Sequence, residues 1–164
     1  MDIEKREELD YQAFEKLIEE KGNKTTPHKM PQFSKYDAWT EKDNKTVAVV
    51  ELKTREDYHL EDFDTFLLSL HKVSELQEGK RLNDAQKSIL VAFYPLDNKT
   101  VIFDLSDLTD DKCDIKWIYT WITHYDKSKG KKWQPYAELS LTEGEHKYYS
   151  TKIIDQKLDY LAKK

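Results

Sequence analysis

Only one cysteine, Cys113, stands among the 164 residues, so neither an intramolecular disulfide nor a cysteine-rich zinc site can form, which fits a reducing compartment. Four glycines occur and none is clustered, which excludes a dinucleotide fingerprint and a phosphate-binding loop. No apolar run approaches a membrane span, and the N-terminus MDIEKREELD is acidic without an apolar core, so a cytoplasmic protein with no membrane partner is expected. The five histidines, His28, His59, His71, His124 and His146, show neither HExxH nor close pairing, which leaves zinc hydrolysis without support. A Gly-X-Ser-X-Gly elbow is missing too, and Cys113 reads as a small residue at the start of a strand.

What is present fits one domain spanning residues 1–164. Hydrophobic residues make up 38% and charged residues 36% of the chain, hydrophilic but still globular, with enough aromatics to argue against disorder. The net charge of -5 counts mildly against a general polyanion binder, although local patches decide such binding. Asn23, Asn44 and Asn98 each open an Asn-Lys-Thr triplet, better read as turns than as glycosylation sites.

Residues 3–21 read as a helix, with Glu7, Tyr11, Phe14 and Ile18 on one stripe, Ala13 and Leu17 widening it, and Gly22 as its stop. KYDAWT and TVAVVELKT read as two strands joined by a turn at Asp43 and Asn44. From about His59 to Gln77 the spacing of Leu60, Phe63, Leu67, Leu70 and Val73 predicts a helix that Gly79 closes. SILVAFYP and TVIFDL form a second strand pair, DIKWIYTWITH favours a strand through its β-branched and aromatic content, and residues 151–161 have helical spacing. This order predicts an α/β fold with a mixed sheet flanked by helices.

The informative stretch is TVAVVELKTRE, where an apolar strand ends in charge. In an extended strand Glu51 and Lys53 share a face. The plain reading is an ion pair at a sheet edge, because a partly buried carboxylate is costly unless paired or bound to a metal. Asp37, in the preceding strand, would stand beside Glu51 across the hairpin, and two adjacent carboxylates are relieved by a raised pKa or a bound cation. Mg²⁺ suits such a pair, with the Leu52 carbonyl able to complete the site and Lys53 placed to hold a water.

Asp37 in KYDAW, followed by Glu51, Leu52 and Lys53 in VVELK with a helix before and after, resembles the PD-(D/E)XK nuclease superfamily, in particular small phage-type and bacterial members that cleave DNA. The likeness spans residues 11–94 or so, and the chain departs from the pattern in having no proline before Asp37. The resemblance implies a restriction-endonuclease-like core in the order α-β-β-α-β, extended by C-terminal β elements and a helix. It implies DNA hydrolysis by a Mg²⁺-activated water, with Mn²⁺ as a substitute. Asp37 and Glu51 would be metal ligands together with the Leu52 carbonyl, and Lys53 would orient the nucleophile. A first-helix glutamate would assist; Glu15, in AFEKL, matches the family form, with Glu7, Glu8 and Glu19 as alternatives. Lys72 resembles a helix lysine that related nucleases carry beside the active strand.

The expected DNA contacts are Lys72 and a loop carrying Lys127, Lys129, Lys131 and Lys132, flanked by Trp121, Tyr125, Trp133 and Tyr136. A solvated hairpin loop with core aromatics explains that loop equally well. A non-catalytic DNA-binding or protein-interaction module with the same fold is the rival to the nuclease. Substrate shape, DNA against RNA, and endonuclease against exonuclease action stay open, and a homodimer would suit paired cuts.

Overall fold

A computed structural model of the protein describes residues 3–20, 24–108, 113–123 and 126–141, and the backbone of 147–150. Helix α1 covers Ile3–Glu20. Strand β1 (Thr26–Lys29) follows, then β2 (Ala38–Lys42), β3 (Lys45–Thr54) and β4 (Thr65–Ser69). Helix α2 (Leu70–Leu82) leads into β5 (Lys87–Tyr94) and β6 (Lys99–Asp104), and β7 (Asp114–Trp121), β8 (Lys131–Ser140) and β9 (Lys147–Ser150) come last. A six-stranded sheet runs β1-β2-β3-β5-β6-β9, and a three-stranded sheet runs β4-β8-β7. In the larger sheet only β3 and β5 pair in parallel, so it is mixed, and the chain is α/β.

Alternation along β3 divides the core. Val50 and Leu52 face α1, whose Ala13, Phe14, Leu17 and Ile18 form the buried stripe. Val49 faces the other way, toward α2 and the smaller sheet, where Val73, Leu76, Phe66, Leu68 and Ala137 pack. By the same alternation Glu51 and Lys53 point to the α2 side. The β2–β3 turn has both Asp43 (φ 53°) and Asn44 (φ 59°) in the left-handed region, as a two-residue hairpin turn requires. Asn98, also left-handed at φ 49°, closes the turn between β5 and β6.

Several expectations need correction. The helix predicted from His59 is not there: Leu60–Asp62 is a single 3-10 turn, β4 follows, and α2 starts only at Leu70. Asp97 accepts from the Leu60 N–H at 2.6 Å and pins the turn, while Phe66 and Leu68 bury the alternate positions of β4. Ser69, accepting from the Lys72 N–H at 3.2 Å, is the N-cap that sets the helix start. Strand β1, within the segment read as a polar connection, was not anticipated. Gly22, Tyr125 and the expected C-terminal helix of 151–161 lie outside the described residues.

Gly79 does not end α2 but sits inside it, where a Cβ would come 2.7 Å from the Tyr36 ring. That ring is held by the Asn83 amide, which donates to its hydroxyl at 3.0 Å. Gly79→Ala is therefore expected to destabilise the protein by about 1–2 kcal/mol, since an overpacking cost of about 1–3 kcal/mol exceeds the helix-propensity gain of up to about 1 kcal/mol. Urea unfolding measures it, and a rise in the midpoint would refute the close-packing explanation.

Candidate active site

Asp37 lies just before β2, whose first residue, Ala38, pairs with Val50 of β3. The Asp37 N–H donates to the Val50 carbonyl at 3.0 Å, so Asp37 meets the same β3 residue that Ala38 pairs with. Its carboxylate turns along the strand and accepts from the Leu52 N–H at 2.7 Å. Since the N–H and C=O of one strand residue point to the same edge, the Leu52 carbonyl is directed to the edge where Asp37 stands. Asp37, Glu51, Leu52 and Lys53 all line one cleft of about 850 Å³.

Glu51 is the only acidic side chain buried in the core of the described residues, at 1% exposure. Its Oε1 lies 3.0 Å from the Lys53 ammonium. Among the described residues its Oε2 has no hydrogen-bond partner, and the Lys72 ammonium faces it at 3.6 Å. Burial pushes its pKa up to about 7, with Asp37 adding to the rise and Lys53 and Lys72 opposing it. For Lys53, burial pulls the pKa down but the Glu51 carboxylate outweighs it, so the ammonium is held above its ordinary value.

Helix α1 supplies a different acid from the one matched by family form. Glu15 is exposed and does not line the cleft, whereas Glu7 and Asp10 do. Eight residues separate Glu15 from Glu7, about 12 Å along a helix, which carries Glu15 past the end of the site. Glu8 is drawn to Lys29 at 2.7 Å, and Glu19 is exposed. Burial raises the Glu7 pKa, and Asp37 raises it further while Lys29 opposes. The signal for Glu7 was in the sequence: it is the acid that falls on the apolar stripe of the helix. Asp10 accepts from the Thr54 hydroxyl at 2.9 Å, and no sequence feature marked it.

Lys72, expected as a DNA contact on the helix beside the active strand, lines the same cleft. Its ammonium donates to the Lys35 carbonyl at 2.8 Å and pairs with Glu75 at 3.0 Å as well as facing Glu51. Arg55 turns inward, over the Phe66 ring at 4.1 Å and donating to the Leu67 carbonyl at 3.2 Å. Lys127, Lys129, Lys131 and Lys132 are exposed at the tip of the β7–β8 hairpin and none lines the cleft. Their loop is an ordered 3-10 turn capped by Asp126, with Gly130 at φ 77°.

The donor set fits a hard divalent cation: two carboxylates lining one cleft, a strand carbonyl directed to the edge where Asp37 stands, and a buried oxygen short of a donor. Among the described residues no group of three or more His, Cys, Asp or Glu side chains forms a metal cluster, so water and phosphate oxygens would have to complete the shell. No family model matches the chain, and no curated protein matches it.

Proposed function

We propose that the protein is a metal-dependent nuclease that hydrolyses DNA phosphodiester bonds by a mechanism of the PD-(D/E)XK kind. The observation that carries this reading is Glu51: a buried carboxylate that shares its cleft with a second carboxylate, Asp37, with one oxygen lacking a hydrogen bond among the described residues and the other on a lysine. A sheet that only needed to fold gains nothing from that arrangement, whereas a cation site does.

In this reading Asp37 and Glu51 would hold Mg²⁺ or Mn²⁺, and the Leu52 carbonyl would add a third oxygen. The bound ion would polarise the scissile phosphate and lower the pKa of a coordinated water. Lys53 stays protonated through its Glu51 partner, so it works as a donor, orienting the attacking water and offsetting charge that develops on the phosphate. Lys72 supplies a second positive charge beside Glu51 and keeps the pair of acids tolerable when no cation is bound. Glu7, across the cleft on α1, is placed to accept a proton from a water.

Incubation with linear duplex, nicked, branched and single-stranded DNA, and with RNA, tests this directly. Cleavage of at least one DNA form in Mg²⁺ or Mn²⁺, and none in EDTA, is the expected result. Intact substrates throughout would leave the non-catalytic binding module as the better reading.

A further inference from the structure

The face of the smaller sheet that enters the core does not stop where the core stops. Leu68 and Ala137 pair and are buried, and on the same face the next positions outward are Ile115 beside Ala137, Trp117 beside Pro135, and Tyr119 beside Trp133. Trp121 beside Lys131 ends the row. Strand β4 pairs with β8 only from Tyr136 to Ser140, so the outer half of the β7–β8 pair is a two-stranded ribbon. Trp117, Tyr119 and Trp133 are 61%, 56% and 64% exposed. Core-type side chains have been carried onto a projecting element, where an ordinary solvated hairpin would alternate to polar residues.

Charge on the ribbon runs against that of the whole chain. Between Asp114 and Pro135 five lysines stand against two aspartates, in a protein of net charge -5. The Lys127 and Lys131 ammoniums lie 5.4 and 4.7 Å from the centre of the Trp121 ring, which holds two cations at the end of the aromatic row. Exposed rings beside fixed cations are the chemistry that recognises a nucleic-acid strand. The spacing selects its form. Same-face neighbours on a strand, such as Trp117 and Tyr119, are about 7 Å apart, roughly twice the 3.4 Å between stacked bases in a duplex, so rings at that interval suit bases already splayed apart. A second copy of this ribbon would bring the same cationic excess and be repelled.

We propose that the β7–β8 ribbon is a platform for unpaired DNA, on which bases stack against Trp117 and against the Tyr119–Trp133 pair, whose rings pack together at 5.6 Å, while Lys127 and Lys131 contact phosphates. The choice of DNA as occupant rests on the nuclease reading, which the platform deepens by naming single-stranded segments as what the protein grips; the stacking itself does not depend on catalysis.

The test is fluorescence anisotropy of labelled oligo(dT) of about a dozen nucleotides with the full chain in EDTA, where no cleavage occurs. Trp117→Ala and Trp133→Ala, both at exposed positions, are each expected to weaken binding roughly 5- to 150-fold, the range for losing one stacked base. The double variant Lys127→Gln with Lys131→Gln should flatten the slope of log affinity against log salt by about 1.4, at roughly 0.7 per phosphate contact on a single strand. Wild-type affinity in both tryptophan variants would overturn the proposal, as would a protein that ignores oligo(dT) and sediments as a dimer which those variants dissociate. Oligo(dT) binding that the tryptophan variants lose, in a protein that cuts nothing in Mg²⁺ or Mn²⁺, would keep the platform and sink the nuclease reading.

Discussion

Asp37→Asn and Glu51→Gln are each expected to lower divalent-dependent DNA cleavage by about 10³-fold or more, because the several kcal/mol that a positioned cation contributes amounts to about a tenfold factor per 1.4 kcal/mol. Both substitutions keep side-chain size, and Asp37→Asn keeps an oxygen for the Leu52 N–H, so the fold should persist. Lys53→Met should also inactivate, by about 10²–10³-fold, the cost of removing one donor from a developing negative charge. It should retain cation binding at a pH well above 7, where Glu51 is ionised without its lysine partner. Single-turnover kinetics at saturating DNA separates the step. Wild-type rates in all three variants would mean that cleavage occurs elsewhere or belongs to a contaminant.

The second large effect is on stability. Glu51 has a folded pKa of about 7 against an ordinary 4.5, so between those values the folded state holds a proton that the unfolded state has lost. Stability attributable to this group therefore falls as pH rises from about 4.5 through 7, and the full penalty stands above that. At about 1.36 kcal/mol per pH unit the penalty reaches about 3 kcal/mol. Glu51→Gln should remove it: at pH 8 in EDTA the variant is expected to melt about 6–12 °C above wild type, and at pH 4.5 the two should converge. Adding Mg²⁺ or Mn²⁺ should stabilise wild type at pH 8, by about 2.7 kcal/mol at a hundred times Kd, and should do little for the variant. A variant no more stable than wild type at pH 8 would mean that the Lys53 and Lys72 pairs already offset the burial.

The hairpin, the α1 stripe and the β5–β6 pair were legible because each follows from a local rule that tertiary contacts reinforce: left-handed turn residues at Asp43 and Asn44, an apolar stripe, and alternating strands between turns. Strand β4 was not, since Leu60, Phe63, Leu67, Leu70 and Val73 fall at helical intervals while belonging to three different elements. Five residues of alternation are too short to outweigh that spacing, and the N-cap at Ser69 was the overlooked signal. At the site, Asp37, Glu51 and Lys53 line one cleft; strand alternation made the shared face of Glu51 and Lys53 legible, whereas the place of Asp37 also depends on a register shift between Thr40 and Glu41 that no sequence signal announced. Which α1 acid reaches the cleft depends on how far the helix slides along the sheet, and that is set by packing. The partners of Lys72 were not legible for a similar reason: Glu51 and the Lys35 carbonyl come from segments distant in sequence.

The most direct test of the cation site is a crystal structure grown with Mn²⁺, read by its anomalous signal. One ion is expected in the cleft with oxygens of both Asp37 and Glu51 at roughly 2.0–2.2 Å and the Leu52 carbonyl in its shell, the Glu51 Oε2 having gained a partner. Mn²⁺ bound only at other acids, with Asp37 still on the Leu52 N–H and Glu51 still held by Lys53 alone, would contradict it.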